Sequence, residues 1–586
     1  MKLDINQRRT GVFAPVFALR TASDMGIGDT GSVRQMIAWC RKQGFSVLQI
    51  LPINETGDDH SPYNAVSAFA LEPTTLEITP KLIPCLTAAD IKKMASAPLL
   101  KTLRAGSVQY KQVKKLKRDL LDYAFKKFVA PKAKTAASDK KAFASFLKEE
   151  KNWLEDYTLF RALMKKHGHP DWERWPKEHQ TPAAARKWLA ALPAEEKKAF
   201  LAQREFFSFV QWLLHRQWSE VRAEAESQGV YLMGDAPFGI SRCSADVWAH
   251  PQWFDLKWSG GAPPESWFKG DFFTEKWGQN WGVPVYNWAT MKADDYSWWR
   301  QRIRQTVRYF HLFRIDHVLG LYRIYAFPWQ PKDNGLYVNL TPEKAKAKAG
   351  DLPRFLPRSD EKTEDTKLNR QEGEERLRMI LEAAGDATVI AEDLGLVPDY
   401  VRPSLTDLGV SGFKIPIFER EQQSQEYKKP EDYPVLSVAT LSTHDHETML
   451  GFWENWWTEF KEMERRRAAG KLEKNFEEHA TRTSWEIYRT QRFARLDDRA
   501  MIRDYEPQVR EGACRRLLHS RSWLAILMIT DALGLKLRFN VPGPVADSNW
   551  SSRLPFTVKE MAESPAWEHI RSFLRQSTRE AERLHS

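Results

Sequence analysis

Leu312-Phe313-Arg314-Ile315-Asp316-His317 is the stretch around which the chain is organised. It reads as a short apolar strand ending on a charged cluster. Side chains alternate across a strand, so Arg314 and Asp316 share one face while Phe313 and Ile315 occupy the other. A guanidinium beside a carboxylate lowers its pKa and keeps it ionised, which a nucleophilic or charge-stabilising Asp requires. Asp316 is therefore the first catalytic candidate. A plain ion pair with Arg314, or a cap on the next element, explains the hexapeptide equally well.

The same pattern recurs along the chain. Residues 230–233 lead into Asp235, residues 387–391 into Glu392-Asp393, and residues 437–443 into His444-Asp445-His446. Further strands are expected over 11–19, 46–51, 413–418 and 535–539, which makes eight, near residues 12, 48, 231, 313, 389, 415, 440 and 537. Helical segments alternate with them, among them 32–43, opening on a Ser32 cap and closing at Gly44, with 298–310 and 374–384. Eight strand-helix units with acids at the strand ends predict an α/β fold, a (β/α)8 TIM barrel whose chemistry sits at the carboxyl ends.

Residues 1–586 are read as one catalytic barrel with helical and loop insertions and no separate C-terminal β domain. Residues 82–229 form a helical insertion, with 132–140 as an exposed linker inside it. Residues 250–296 form a Trp-rich loop insertion over the active site; they carry Trp253, Trp258, Trp267, Trp277, Trp281 and Trp288 among glycines and prolines. A sugar-binding lid and an aromatic-packed surface loop fit that stretch about equally. Residues 341–376 read as charged surface decoration.

Composition narrows the function. Hydrophobic residues make up 42% and charged residues 28% of 586, a balance able to bury a large core. The 24 Trp and 16 Tyr offer flat apolar faces with a polar edge, the surface sugars stack on, though most will be core. A net charge of +11 raises nucleic acid as a partner, but the excess lies in helical runs where acids alternate, so a solvated face is the better reading. Cys40, Cys85, Cys243 and Cys514 are far apart with no CxxC spacing, which argues for thiols in a reducing, cytoplasmic compartment. Neither a signal peptide nor a membrane span is expected.

Two motifs compete with the strand-end acids. Gly26-Ile27-Gly28-Asp29-Thr30-Gly31 is a formal GxGxxG, yet it does not directly follow its strand and would turn Asp29 toward a pyrophosphate. His444-Asp445-His446-Glu447 could open a metal-hydrolase site, but the extra strand-end histidines such a site needs are missing. Asp316, Glu392 and Asp445 can converge at one barrel mouth, where two carboxyls support retaining glycosidic chemistry.

Taken together, Arg314-Ile315-Asp316-His317, Ala391-Glu392-Asp393-Leu394-Gly395, Thr443-His444-Asp445 and Ser61-Pro62-Tyr63-Asn64 closely resemble the 4-alpha-glucanotransferases of glycoside hydrolase family 77. Gly234-Asp235-Ala236-Pro237, Trp248-Ala249-His250-Pro251, Gly278-Gln279-Asn280-Trp281-Gly282 and Asn549-Trp550 extend the match along the chain. The resemblance implies transfer of α-1,4-glucan segments between malto-oligosaccharides, or onto glucose, by a retaining double displacement with no metal or organic cofactor. It implies Asp316 as nucleophile, Glu392 as acid and then base, and Asp445 as the carboxylate holding the 2- and 3-hydroxyls. Arg314, Tyr63, Asp235, His317, His444, Trp281 and Asn280 would bind substrate or support the site. For its double role Glu392 should be less solvated and less cation-paired than Asp316. Neither nucleic acid nor membrane is an expected partner, and a monomer or weak homo-oligomer is the default. Glu265 stands where the family usually has Asp, and Val283 where many members have Asn. Residues 278–288 and 321–325 look more like the branch with the plant cytosolic enzymes, whose starch-binding modules would not fit before Gly11.

Overall fold

A computed structural model describes residues 3–130, 136–265, 271–496, 501–503, 505, 507–543 and 548–583. Eight short strands pair in parallel: Arg9–Phe13, Val47–Gln49, Tyr231–Ala236, Leu312–Ile315, Thr388–Ala391, Gly412–Lys414, Ser437–Thr440 and Leu524–Met528. Each lies beside its neighbours in sequence, and the eighth pairs with the first in register from Arg9–Leu524 to Phe13–Met528. A parallel bridge between Ile390 and Ser411 joins the remaining two edges, so the sheet closes into a (β/α)8 barrel. The strands are almost wholly buried, as parallel strands covered on both faces must be.

The sequence expectations shift at several boundaries. The first strand stops at Phe13 and the sixth at Lys414, shortly before Pro15 and Pro416, which bring no N–H to a ladder. The eighth strand is Leu524–Met528, whereas 535–539 is irregular chain at the barrel mouth. Residues 535–539 alternate apolar and charged side chains, which imitates a half-buried strand; the true strand lies in an unbroken apolar run without alternation. The first helix begins at Thr30, with Asp29 as its cap: the Asp29 carboxylate accepts from Ser32 N at 3.1 Å, and Ser32 Oγ accepts from Asp29 N at 2.7 Å. The GxGxxG is thus a turn into a capped helix. A β-carbon on Gly28 would fall 1.7 Å from the Val16 carbonyl oxygen, so only glycine fits there.

Within 82–229 the described residues are largely helical, and the last helix, Ala194–Ser227, returns to the barrel wall against Thr30–Gln43. The linker expected over 132–140 falls partly outside the described residues, and from Ala137 the chain is already helix.

Where a loop is expected over 250–296, the described residues hold two strands of a small sheet. Phe254–Ala262 and Gln279–Tyr286 run antiparallel beside Ile324–Phe327 and Arg354–Leu356. Register shifts between Asp255 and Ser259 and between Gly260 and Gly261 bend the first pair, which is why so irregular a sequence still pairs. Trp277, Trp329, Tyr337, Phe273 and Phe327 form its core, so many aromatics here are packing residues. Trp267 lies outside the described residues. Residues 341–376 are not decoration either. They supply the sheet's outer strand and the start of the barrel helix Thr363–Ala384. A helical hairpin, Met449–Ala468 and Lys474–Phe493, has its own small core of Trp453, Trp457, Ile487, Ile502 and Val509. No helix among the described residues is long and apolar enough to cross a membrane.

Candidate active site

The strand Tyr231–Ala236 pairs with Leu312–Ile315 so that Asp235 sits opposite Arg314, and Ile315 in turn sits opposite Ala391. These registers bring three acids to one corner of the barrel mouth. Arg314 is buried at its centre. Its Nε donates to both Asp235 oxygens at 3.0 Å, and its Nη2 donates to Asp316 Oδ1 at 2.9 Å and to Tyr63 Oη at 3.0 Å. The Tyr63 hydroxyl donates to Asp235 Oδ2 at 2.7 Å. Arg314 and Asp235 are therefore a fully buried, fully bonded pair, and Asp316 is the arm of that cluster that still meets solvent, with 26% of its side chain exposed.

Glu392 is held differently. Its Oε2 accepts from His317 N at 2.8 Å and its Oε1 from Leu394 N at 3.2 Å. Among the described residues no Lys or Arg lies within ion-pair distance of it, whereas Asp316 has Arg314. His317 supplies its N–H from a left-handed conformation, φ 43°, the kind of strained backbone that persists where the surroundings enforce it. Burial drives the Glu392 carboxyl up to about 8, Arg314 pulling down and Asp316 pushing up. Burial also raises Asp316, to about 6, with Arg314 opposing and Asp235 and Asp445 adding to the rise. Glu392 is thus the weaker acid of the two. The Asp316 carboxylate does not stay in the ordinary Asp range as the Arg314 pairing alone suggests, because desolvation outweighs that single cation.

Asp445 is the opposite case. Burial works against its charge, yet His444 Nε2 at 3.1 Å and a 2.6 Å hydrogen bond from Asn540 Nδ2 hold its carboxyl well below the usual carboxylate range. Arg538 Nη2 donates to the Asp445 carbonyl at 2.9 Å. Arg538 and Asn540 are site residues that sequence reading missed, since they lie in or beside the segment whose alternation imitates a strand.

An aromatic wall faces these acids. Tyr63 stacks on His444 with centroids 5.3 Å apart, and Trp550 tilts against both rings at 5.7 and 5.8 Å. His444 and His446 part company: the second bonds Thr443 Oγ1 at 2.7 Å and packs on Phe418. On the other side Trp281, 38% exposed, stands edge-to-face on His317 at 4.8 Å. Burial, with Arg323 adding, lowers the His317 ring to about 4, so it is neutral.

Asn280 does not join the cluster through its side chain. Its Oδ1 accepts from Ser259 Oγ at 2.6 Å, and its Nδ2 donates to the Trp329 carbonyl and Asn334 Oδ1 at 3.1 and 3.0 Å, which ties the small sheet together. Glu265 reaches the loop after Glu392, where a β-carbon on Gly395 would lie 3.3 Å from Glu265 Oε1, and burial raises its carboxyl. Asp393 turns inward instead, accepting from Phe413 N at 2.6 Å and Arg402 Nε at 3.0 Å.

Known proteins resemble this chain over nearly its whole length. The family profile described as 4-alpha-glucanotransferase matches residues 14–558. A 4-alpha-glucanotransferase of Chlamydia pneumoniae is 32% identical over 569 residues, covering 94% of this chain and 92% of that protein. One from Thermus thermophilus is 30% identical over 541 residues, covering 90% and 91%. In structure the chain resembles the amylomaltase from Streptococcus agalactiae in complex with acarbose, with a TM-score of 0.72 at 23% identity over 99% of this chain and all of that one, a likeness of fold. With the profile spanning nearly the whole barrel, this chain belongs to glycoside hydrolase family 77, the 4-alpha-glucanotransferases.

Proposed function

We propose that this chain moves α-1,4-glucan segments between malto-oligosaccharides, or onto free glucose, by a retaining double displacement. One observation carries the mechanism: Asp316, ion-paired with Arg314 at 2.9 Å, and Glu392, held by the backbone N–H groups of His317 and Leu394, follow paired residues on adjacent strands. Adjacent strands lie about 4.8 Å apart. That suits the roughly 5 to 5.5 Å between carboxyls that retaining chemistry uses.

Asp316 attacks the anomeric carbon while Glu392 gives its proton to the departing glycosidic oxygen, leaving a covalent glucosyl ester on Asp316. Glu392, now a carboxylate, takes the proton of the incoming 4-hydroxyl as that oxygen displaces the ester. The order of the two pKa values is the one this exchange needs. Asp445, anchored by Asn540, accepts hydrogen bonds from the 2- and 3-hydroxyls. Tyr63 and His444 give the sugar a flat wall, and Trp281 offers the acceptor an exposed ring that favours a sugar hydroxyl over water at the ester. Arg314 and Asp235 act through Asp316 and Tyr63. We read the enzyme as cytoplasmic, in keeping with widely spaced cysteines, and as a monomer or weak homo-oligomer by default.

The product ladder from maltotriose tests this reading, with Asp316→Asn alongside. Glucose plus longer oligosaccharides from the wild type, absent from the variant, is the expected result. Glucose and maltose alone would make the protein a hydrolase, and an unchanged ladder in the variant would remove Asp316 from the nucleophile's role.

A further inference from the structure

We infer that Tyr110, the first residue of the helix Tyr110–Val129, is a positioning residue for the sugar-facing wall of Tyr63, His444 and Trp550. The inference rests on the proposed role of Tyr63 and His444 as a flat wall for the sugar. It assigns a function to a helix of the 82–229 stretch, away from the strand ends that carry the acids.

Two separate parts of the barrel mouth meet on this one side chain. Tyr110 is buried, and its hydroxyl donates to the Trp550 carbonyl at 2.6 Å. Its ring stacks on His60, with centroids 4.0 Å apart and planes 14° from parallel. His60 lies three residues before Tyr63 in the loop that delivers it, and its Nδ1 is buried with no hydrogen bond among the described residues, which leaves the stack as the contact on that side of the ring. Both anchored residues sit in the left-handed region, His60 at φ 59° and Trp550 at φ 60°. Non-glycine residues hold that conformation only where neighbours enforce it. The same helix grips the loop again one turn on, where Lys114 Nζ donates to the Gly57 carbonyl at 3.0 Å and to Thr56 Oγ1 at 3.3 Å. Just before the helix, Val108 N donates to the Ser551 carbonyl at 2.8 Å. Tyr110 thereby fixes the loop carrying Tyr63 relative to Trp550, and Tyr63 lies between Trp550 and His444 with its hydroxyl bound to Asp235 and Arg314.

Steady-state transfer kinetics on maltotriose test this, using the full chain. Tyr110→Phe keeps the stack and removes the hydroxyl; it should raise KM about fivefold, the scale of one hydrogen bond, with kcat nearly unchanged. An unchanged KM, with or without a fall in Tm, would make Tyr110 a structural residue only and overturn the inference. His60 supplies the second arm: His60→Phe retains a ring for the stack and should keep the wild-type KM, while His60→Ala should raise it. Equal KM values for the two His60 variants would also overturn the inference. Failure of the wild type to disproportionate maltotriose would instead remove the sugar-wall reading on which it rests.

Discussion

Arg314 Nη2 and Asp235 Oδ2 meet at 2.8 Å with 5% and 0% of their side chains exposed. The pair is the buried foundation on which Asp316 and Tyr63 stand. Removing Asp235 takes away the buried charge that Arg314 shares with the part-exposed Asp316, a loss approaching the roughly 3 to 5 kcal/mol of a broken buried pair. Asp235→Ala should therefore lower stability by that order in a denaturant melt and abolish transfer. Variants with Asp235→Asn, which keeps the shape but not the charge, should fold better than the Ala variant while remaining impaired, because Arg314 then leans entirely on Asp316. A melt unchanged in Asp235→Ala would show the pair to be solvated.

The pH dependence of kcat/KM should be bell-shaped. In the proposed roles Asp316 is ionised to attack, so activity should fall as pH drops through about 6, and Glu392 is protonated to assist departure, so it should fall again as pH rises through about 8. The two limbs belong to the interacting pair rather than to either residue alone. A rate that stays level from neutrality well past the Glu392 value would contradict the raised carboxyl.

Leaving-group dependence separates the two acids. Glu392→Gln should lose roughly 100- to 10,000-fold on maltotriose, the usual contribution of a general acid. On an α-glycosyl fluoride, whose leaving group needs little protonation, the same variant should still release fluoride. Asp316→Asn should fail on both. Equal losses of Glu392→Gln on the two donors would deny Glu392 the acid's role.

Asn540 offers a milder test. Its 2.6 Å bond to Asp445 is one of the forces keeping that carboxylate charged. Asn540→Ala should cut kcat/KM about tenfold, near the lower end of one hydrogen bond to a charged group, with little effect on Tm. Steady-state kinetics at neutral pH suffice, and an unaltered kcat/KM would remove Asn540 from the site.

Away from the chemistry, Gly373 lies in the helix Thr363–Ala384 against Tyr322, where an added β-carbon would come 2.1 Å from Cδ1 of a fully buried ring. Helix propensity alone predicts that Gly373→Ala gains up to about 1 kcal/mol. Overpacking should win, with a net loss of about 1 to 3 kcal/mol seen in thermal or denaturant unfolding. A stabilised variant would mean that Tyr322 can move aside.

Much of the site was legible because a barrel strand ends where its chemistry begins. Arg314, Asp316, Glu392 and Asp445 lie at the ends of short apolar runs, and the parallel arrangement that such runs demand sends their ends to one mouth. Asp235 and Tyr63 were legible through their motifs. Asn540 and Arg538 were not, because 535–539 carries a strand's alternation while being irregular chain at the mouth.

The sequence by itself determined the barrel class and seven of its eight strands, since burial on both faces dictates apolar strands, and it placed the candidate acids next to them in the chain. Only the tertiary structure decided how those acids differ. Whether Arg314 serves Asp235 or Asp316, why Glu392 has no cation partner among the described residues, and how Tyr110 reaches Trp550 depend on residues far apart in sequence brought within hydrogen-bond distance. The tertiary structure also turned a Trp-rich stretch into a bulged sheet, because aromatic packing and register shifts across Phe254–Ala262 and Gln279–Tyr286 leave no local periodicity to read.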